Sequence, residues 1–408
     1  MADVFVLEVQ LYGVSIGTLT HLPGDRSLFA FNEDYVANEN RPVLSLKFKD
    51  ELGELITDFK PVQTRVMPFF SNLLPEGAMR DYLAKQAAVK SAREFFLLWV
   101  LGMDLPGAVT LVPADEEVWP QIDDEQDHHT GKETRENVLR FSLAGVQLKF
   151  SAVAKASGGL TIPAKGVGGS WIVKLPSTHF QAVPENEFSM MALAGQIGID
   201  VPEIDLIDID EIENLPEEMS VVKGQALAIK RFDRLDDGQA VHIEDFAQVF
   251  GVYPADKYKK ASARNIAQVI SGEGGDADVV EFIKRLTFNT LIGNADMHLK
   301  NWSLIYADRQ NAALAPAYDF VSTIPYISDE TAALNFSRTK RFDEFSQDEL
   351  LHLASKARLP GKLVLDTAQE TVSLFHERWS AEKNNLPMRP EVVDAIEGHL
   401  KKIPIAKS

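Results

Sequence analysis

Alternating apolar positions open the chain. Phe5, Leu7, Val9 and Leu11 alternate with other residues, Gly13 marks a turn, and Ile16 to Leu19 returns, so residues 4–19 read as a hairpin. Further strands are predicted around 28–31 and 44–48, helices over 79–89 and 92–101, and a closing strand within 105–112. Residues 1–113 thus form an α+β unit with no catalytic cluster of its own, which suits a structural or docking subdomain. From 114 to 138 the pattern gives way to charged and polar residues, the composition of a linker or long surface loop.

Apolar periodicity of two returns over 139–236, with strands at 139–150, 171–177, 201–207 and 226–232. Glu185 opens a helix that runs to Ile197 and stops at Gly198. The acidic run 208–218 reads as an exposed hairpin tip, because it lacks the glycine that a calcium-binding turn requires. Beyond 237 the spacing becomes helical, at 244–250, 261–270, 279–292, 347–357, 363–379 and 391–401. Ser346 and Glu349 have the spacing of a capping box. The expected fold class is α+β: a strand-rich lobe (139–236) and an all-helical lobe (237–408), preceded by the extra α+β subdomain.

Composition narrows the classes. The 408 residues suggest more than one domain, and the absence of cysteine excludes disulfides and thiolate catalysis. A net charge of −19 argues against direct binding to nucleic acid, so any action at DNA would need a basic partner. No stretch reaches a membrane-spanning length of apolar residues, and the first residues lack a signal-peptide pattern, so a cytoplasmic protein is expected. His128 and His129 lie in an acidic loop with no third ligand spaced to complete a metal site.

The chemistry concentrates in 289–301. Asp296 and Asn301 have the Asp-x-x-x-x-Asn spacing of a kinase catalytic loop, where the carboxylate accepts a hydroxyl proton and the amide oxygen holds a metal ion. Asp319 follows eighteen residues later, placed to hold Mg²⁺. By themselves these residues read first as polar capping of a helix end after a core segment. Lys174 lies inside the apolar strand Ile172-Val-Lys-Leu175, and Glu187 falls early in the next helix. The two could pair as a kinase lysine and helix glutamate do, or Glu187 could serve only the helix dipole.

The ordered set Ser142-Leu-Ala-Gly-Val-Gln-Leu-Lys149, Val173-Lys-Leu-Pro176, Glu185-Asn-Glu187, Lys230-Arg-Phe-Asp-Arg234, Gly293-Asn-Ala-Asp-Met-His-Leu-Lys-Asn301 and Leu314-Ala-Pro-Ala-Tyr-Asp319 resembles the HipA family. Its members are bacterial serine/threonine kinases that act as toxins of type II toxin–antitoxin modules. Phe69-Phe-Ser-Asn-Leu-Leu-Pro75 and Gly107-Ala-Val-Thr-Leu111 resemble the family's N-terminal subdomain. The resemblance implies ATP and Mg²⁺ as cofactors. It implies a phosphate-binding loop at Ala144, Gly145, Val146, Gln147, Leu148 and Lys149, and Lys174 on the ATP phosphates. It implies an adenine hinge at Lys230, Arg231 and Phe232. Asp296 matches the base, and His298, Leu299, Lys300 and Asn301 match the remaining loop contacts. Tyr318 and Asp319 match nucleotide contacts, with Asn301 and Asp319 on metal, and Glu187 matches the structural ion pair. Ser142 matches an autophosphorylated serine, or is an ordinary strand-end serine.

The implied function is growth inhibition by phosphorylation of a host protein, with an aminoacyl-tRNA synthetase as one candidate. The implied partner is a small, basic, dimeric helix-turn-helix antitoxin of HipB type, through which the chain reaches operator DNA. Three departures stand out: Leu148 replaces an acidic residue of the loop, Lys230 replaces an acidic hinge residue, and Phe320-Val321 replaces Phe-Gly after the metal aspartate. None removes a catalytic group. Two other readings are a small-molecule kinase of aminoglycoside or choline type, against which the serine-led loop at 142–149 argues, and a corepressor that works by docking.

Overall fold

The computed structural model describes residues 5–114, 149–154, 160–162, 169–177, 179–215, 222–328 and 330–407. The opening hairpin is β1 (Phe5–Leu11) and β2 (Val14–Leu22), which turn at Tyr12 and Gly13 with φ of 55° and 74°. With β3 (Arg26–Phe31), β4 (Val62–Gln63) and β5 (Val109–Pro113) it makes a sheet of order β4-β3-β2-β1-β5. Leu7, Val9 and Leu11 point to one face and are buried, as a period of two dictates.

The stretch 44–48, expected as a strand, is instead a 3₁₀ turn at Leu46–Phe48. The Ser45 hydroxyl accepts from the Lys47 amide, and the Glu244 carboxylate accepts from the Leu46 amide at 2.9 Å and the Ser45 hydroxyl at 2.5 Å. Side chains therefore satisfy the donors that a strand partner would have taken.

The second sheet comprises β6 (Lys149–Ala154), β7 (Leu160–Thr161), β8 (Trp171–Lys174), β9 (Ile204–Asp208), β10 (Ile212–Glu213) and β11 (Gln225–Lys230), in the order β10-β7-β6-β8-β11-β9. The acidic run is not simply an exposed tip. Ile209 and Ile212 within it are buried, and β10 adds in parallel to β7. The apolar faces of the two sheets share one core, in which Leu7, Phe70 and Leu98 join Phe150, Val173 and Ala226.

A second core is helical. Met190 and Leu193 come from the helix Val183–Gln196, Phe282 and Phe288 from Asp276–Leu291, and Phe375 from Gly361–Glu382. Helices also form at Ala263–Glu273, Gln347–Ala357 and Pro390–Leu400, near their predicted bounds. This lobe is not all-helical, however. Where a helix was expected over 244–250, β12 (His242–Asp245) precedes a single turn at Phe246–Val249. Together with β13 (Ser303–Tyr306) and β14 (Ala313–Leu314) it forms a small antiparallel sheet of order β12-β13-β14. Ser346 does cap its helix, accepting from the Glu349 amide at 3.4 Å. Glu349 does not reach back to close a box; its carboxylate accepts from the Ser337 and Arg338 amides. Among the described residues, no helix is long and apolar enough to cross a membrane.

Candidate active site

The helix Asp276–Leu291 delivers the polar loop to the cleft between the lobes. Gly293 follows in the left-handed region (φ 66°), where a Cβ would lie 2.6 Å from Ile324 Cδ1, so only glycine fits this helix exit. Asn294 then fixes the loop. Its amide donates to Asn289 Oδ1 at 2.8 Å and to the Asp319 carbonyl at 3.2 Å, and its oxygen accepts from the Asp296 amide at 3.0 Å. Asn301 donates its side-chain amide to the Asp296 carbonyl at 3.0 Å. Asp296, Asn301 and Asp319 are thereby tied together through backbone contacts.

Lys174 and Lys149 are cross-strand partners on β8 and β6. Two facing lysines would repel, but carboxylates compensate. Lys174 Nζ bonds both Glu187 and Asp319, and Lys149 Nζ lies 3.7 Å from Asp319. Burial opposes the charge on Lys174, but Asp319 and Glu187 outweigh it and hold its pKa above the ordinary value. Lys149 is pulled down by burial, against the opposing pull of Asp319. Asp319 is held well below the usual carboxylate range because Lys149 and Lys174 overcome its burial. Its backbone is left-handed, with φ of 57°, a conformation uncommon outside glycine and tolerated by aspartate.

Asp296 Oδ1 accepts a hydrogen bond from the Tyr258 hydroxyl at 2.6 Å. Burial raises the Asp296 pKa, and the Tyr258 bond and Lys257 oppose that rise. His298 is buried edge-on to Tyr258 with ring centroids 5.0 Å apart, and its Nδ1 has no hydrogen-bond partner among the described residues. Burial, and then Lys257, lower its pKa to about 3, so the ring is neutral. Lys300 turns to Glu76 at 2.8 Å and donates to the Asn72 carbonyl at 3.0 Å. Leu299 is fully buried in the helical core and does not face the cleft.

The expected hinge divides. Phe232 lies against Tyr318 with centroids 5.8 Å apart, and Tyr318 donates to the Lys300 carbonyl at 2.9 Å. Lys230 extends to the surface, 3.0 Å from Asp236. The Arg231 guanidinium is buried against Asp233 at 2.9 Å and Asp104 at 3.1 Å. Ser142, Ala144, Gly145, Val146, Gln147 and Leu148 lie outside the described residues.

The cleft holds about 560 Å³, enough for a nucleotide-sized ligand. Asp296, Asn301, Asp319, Lys149 and Lys174 line it, as do Glu76, Asn72, Lys257 and Asp245, to which sequence reasoning gave no role. Asn72 sits in, and Glu76 just after, the segment Phe69–Pro75 that resembles the N-terminal subdomain, but nothing local shows that they face residues 294–301. Lys257 begins Lys257-Tyr-Lys-Lys260, which reads as a solvated surface run. Among the described residues, no three His, Asp or Glu side chains converge as a metal cage. Asp319 and the amide oxygen of Asn301 are among the hard oxygen donors that line the cleft, which fits Mg²⁺, an ion commonly held by one or two protein oxygens together with substrate phosphates.

Two lobes, a cleft between them and a lysine bridging two carboxylates define a protein-kinase-like fold carrying an additional α+β unit. The chain belongs to the HipA family: the HipA-like C-terminal domain matches residues 141–379 and the HipA N-terminal domain matches residues 7–112. A protein of Sinorhizobium fredii named "Putative kinase Y4dM" is 60% identical over 402 residues, covering 98% of this chain and 97% of that one. The serine/threonine-protein kinase toxin HipA of Shewanella oneidensis is 28% identical over 301 residues, 64% of each chain. The solved complex of Shewanella oneidensis HipA, HipB and operator DNA contains a chain that superposes with a TM-score of 0.72 at 21% identity, covering 98% of this chain and 96% of that one.

Proposed function

We propose that this chain is an ATP- and Mg²⁺-dependent protein serine/threonine kinase and the toxin of a toxin–antitoxin module. The observation that carries the reading is the convergence of Lys174, Glu187 and Asp319 in the cleft that also contains Asp296. The acceptor hydroxyl oxygen attacks the γ-phosphorus, the bond from that phosphorus to the β,γ-bridging oxygen breaks, and ADP departs. The hydroxyl proton passes to the Asp296 carboxylate. Burial raises the affinity of that carboxylate for a proton, which suits a base. Lys174 and Lys149 meet phosphate charge, and Glu187 orients Lys174. Asp319 and Asn301 would hold Mg²⁺, which supplies charge neutralisation between phosphates when bound. Tyr318 and Phe232 offer an aromatic wall for the base of the nucleotide.

Ala144, Gly145, Val146, Gln147 and Leu148 would lie over the phosphates, and Ser142 would take the autophosphoryl group. Lys230 and Arg231 would contribute backbone rather than side-chain contacts, because both side chains are engaged elsewhere. The net charge of −19 favours a basic, helix-turn-helix antitoxin of HipB type as partner, and through it operator DNA, in a cytoplasmic setting. The companions in the solved Shewanella complex support that pairing. Purified protein incubated with γ-labelled ATP and host lysate is expected to label a protein band, which then identifies the target. Asp296→Ala should remove the label. Label on an aminoglycoside or choline and on no protein would transfer the reading to a small-molecule kinase. An unlabelled lysate with intact operator repression would leave docking as the function.

A further inference from the structure

One wall of the cleft comes from outside the two lobes. Glu76 occupies the N-cap position of the helix Gly77–Gln86, yet its side chain makes no capping bond to that helix. Its carboxylate turns to the catalytic loop instead, with Oε1 2.8 Å from Lys300 Nζ and Oε2 2.9 Å from Lys257 Nζ. Lys300 also donates to the carbonyl of Asn72. The lysine side chains are only 8% and 7% exposed, so neither ammonium is a casual surface charge. Lys257 sits beside Tyr258, which holds Asp296, and its carbonyl accepts from the Leu299 amide at 3.4 Å.

Resting on the kinase reading, we propose that Glu76 is a positioning residue for phosphoryl transfer. It holds the ammonium group of Lys257 near Asp296 and that of Lys300 in the same cleft, and so makes the first 113 residues part of the catalytic apparatus. The geometry has a charge logic. One carboxylate shared by two ammoniums keeps a positive remainder directed at the cleft, where charge develops on the transferring phosphoryl group. Without Glu76 the two ammoniums repel, and one must swing away.

The test uses the full chain as wild type, E76Q, E76D, the double variant E76Q/K257Q, and D296N as the inactive control. Turnover is followed with γ-labelled ATP, and nucleotide affinity with a fluorescent ATP analogue. E76Q is expected to lower kcat at least about tenfold while nucleotide affinity changes less than about threefold, since positioning acts on the transition state. E76D should keep part of the activity. E76Q/K257Q restores the charge balance and so protects the fold, yet should remain as slow as E76Q. Wild-type kcat in folded E76Q overturns the inference, as does full recovery in the double variant, which would reduce Glu76 to a neutralising group. If E76Q does not fold, the double variant decides. A wild-type protein that transfers no phosphate overturns the kinase reading and this inference with it, whereas active wild type beside unaffected E76Q overturns this inference alone.

Discussion

Tyr258 donates its hydroxyl to Oδ1 of Asp296 at 2.6 Å. The carboxylate that would accept the proton of an acceptor hydroxyl therefore already holds a hydroxyl of its own chain. Burial raises the Asp296 pKa and the tyrosine bond opposes the rise. Tyr258→Phe removes that opposition. A base works only when deprotonated, so the acid limb of the pH–rate profile should move to higher pH in the variant. A profile that coincides with wild type would show that this bond does not tune the base.

Asp296→Asn keeps an oxygen acceptor for the Tyr258 hydroxyl and loses the proton acceptor. Phosphate transfer should fall by about 10² to 10⁴-fold, the usual contribution of a general base. Circular dichroism and the unfolding midpoint should stay at wild-type values, which separates lost chemistry from lost fold.

Arg231 joins the lobe sheet to the N-terminal unit through Asp233 and Asp104, and its side chain is 1% exposed. Arg231→Met would leave the buried Asp104 and Asp233 carboxylates to Arg234, 3.5 and 2.9 Å away, with one guanidinium fewer between them. Removing one member of such a buried set typically costs about 3–5 kcal/mol. The urea midpoint should drop accordingly, and Arg231→Lys should rescue only part of the loss because it cannot bridge both carboxylates with a planar fork.

His242 is fully buried, and its Nε2 meets the Leu44 carbonyl at 2.7 Å. Burial lowers its pKa to about 4, from an ordinary value of 6.5. Between those two values the unfolded chain binds a proton that the folded chain refuses, so stability is lost as pH falls through this window. The expected loss is about 3 kcal/mol over the window. Glu244 on the same strand acts in the opposite direction, because burial holds its carboxyl up at about 7. The informative measurement is therefore the difference between wild type and His242→Gln in chemical denaturation at pH 7 and pH 4.5. The variant should lose less stability on acidification.

The hairpin Phe5–Leu22 and the long helices beyond 260 were legible because each repeats one period long enough to be read. β12, β13 and β14 were not, since two to four residues carry no period. Leu44, Leu46 and Phe48 alternate as a strand would, but Glu244, some two hundred residues away, takes their neighbouring donors and bends the chain. The site divides in the same way. Lys174, Glu187, Asp296, Asn301 and Asp319 were recognisable as an ordered set, and the fold brings them to one cleft. The meeting of Arg231 with Asp104, and the presence of Glu76 and Lys257 at the loop, depend on long-range contacts. Lys257 and Glu76 are 181 residues apart, and no local pattern encodes their meeting.

The N-terminal unit grips both lobes at once. It holds the strand lobe through the shared apolar core and Asp104, and the helical lobe through Ser45 on Glu244, Phe69 on Gln248 and Asn72 on Val252. Mechanically this is a three-bar linkage, not a two-leaf hinge. Opening the cleft by rotating one lobe must shear at least one of the two attachments of the third bar, so the softest attachment determines the direction of opening. The joints on the helical side are mostly polar, Glu76 on Lys257 and Lys300 among them, with Val43 and Leu46 packed on the helical core, whereas the strand side shares one apolar core, so the helical side is the weaker bar. The strand lobe and the N-terminal unit are therefore expected to swing together as one arm over a stationary helical base.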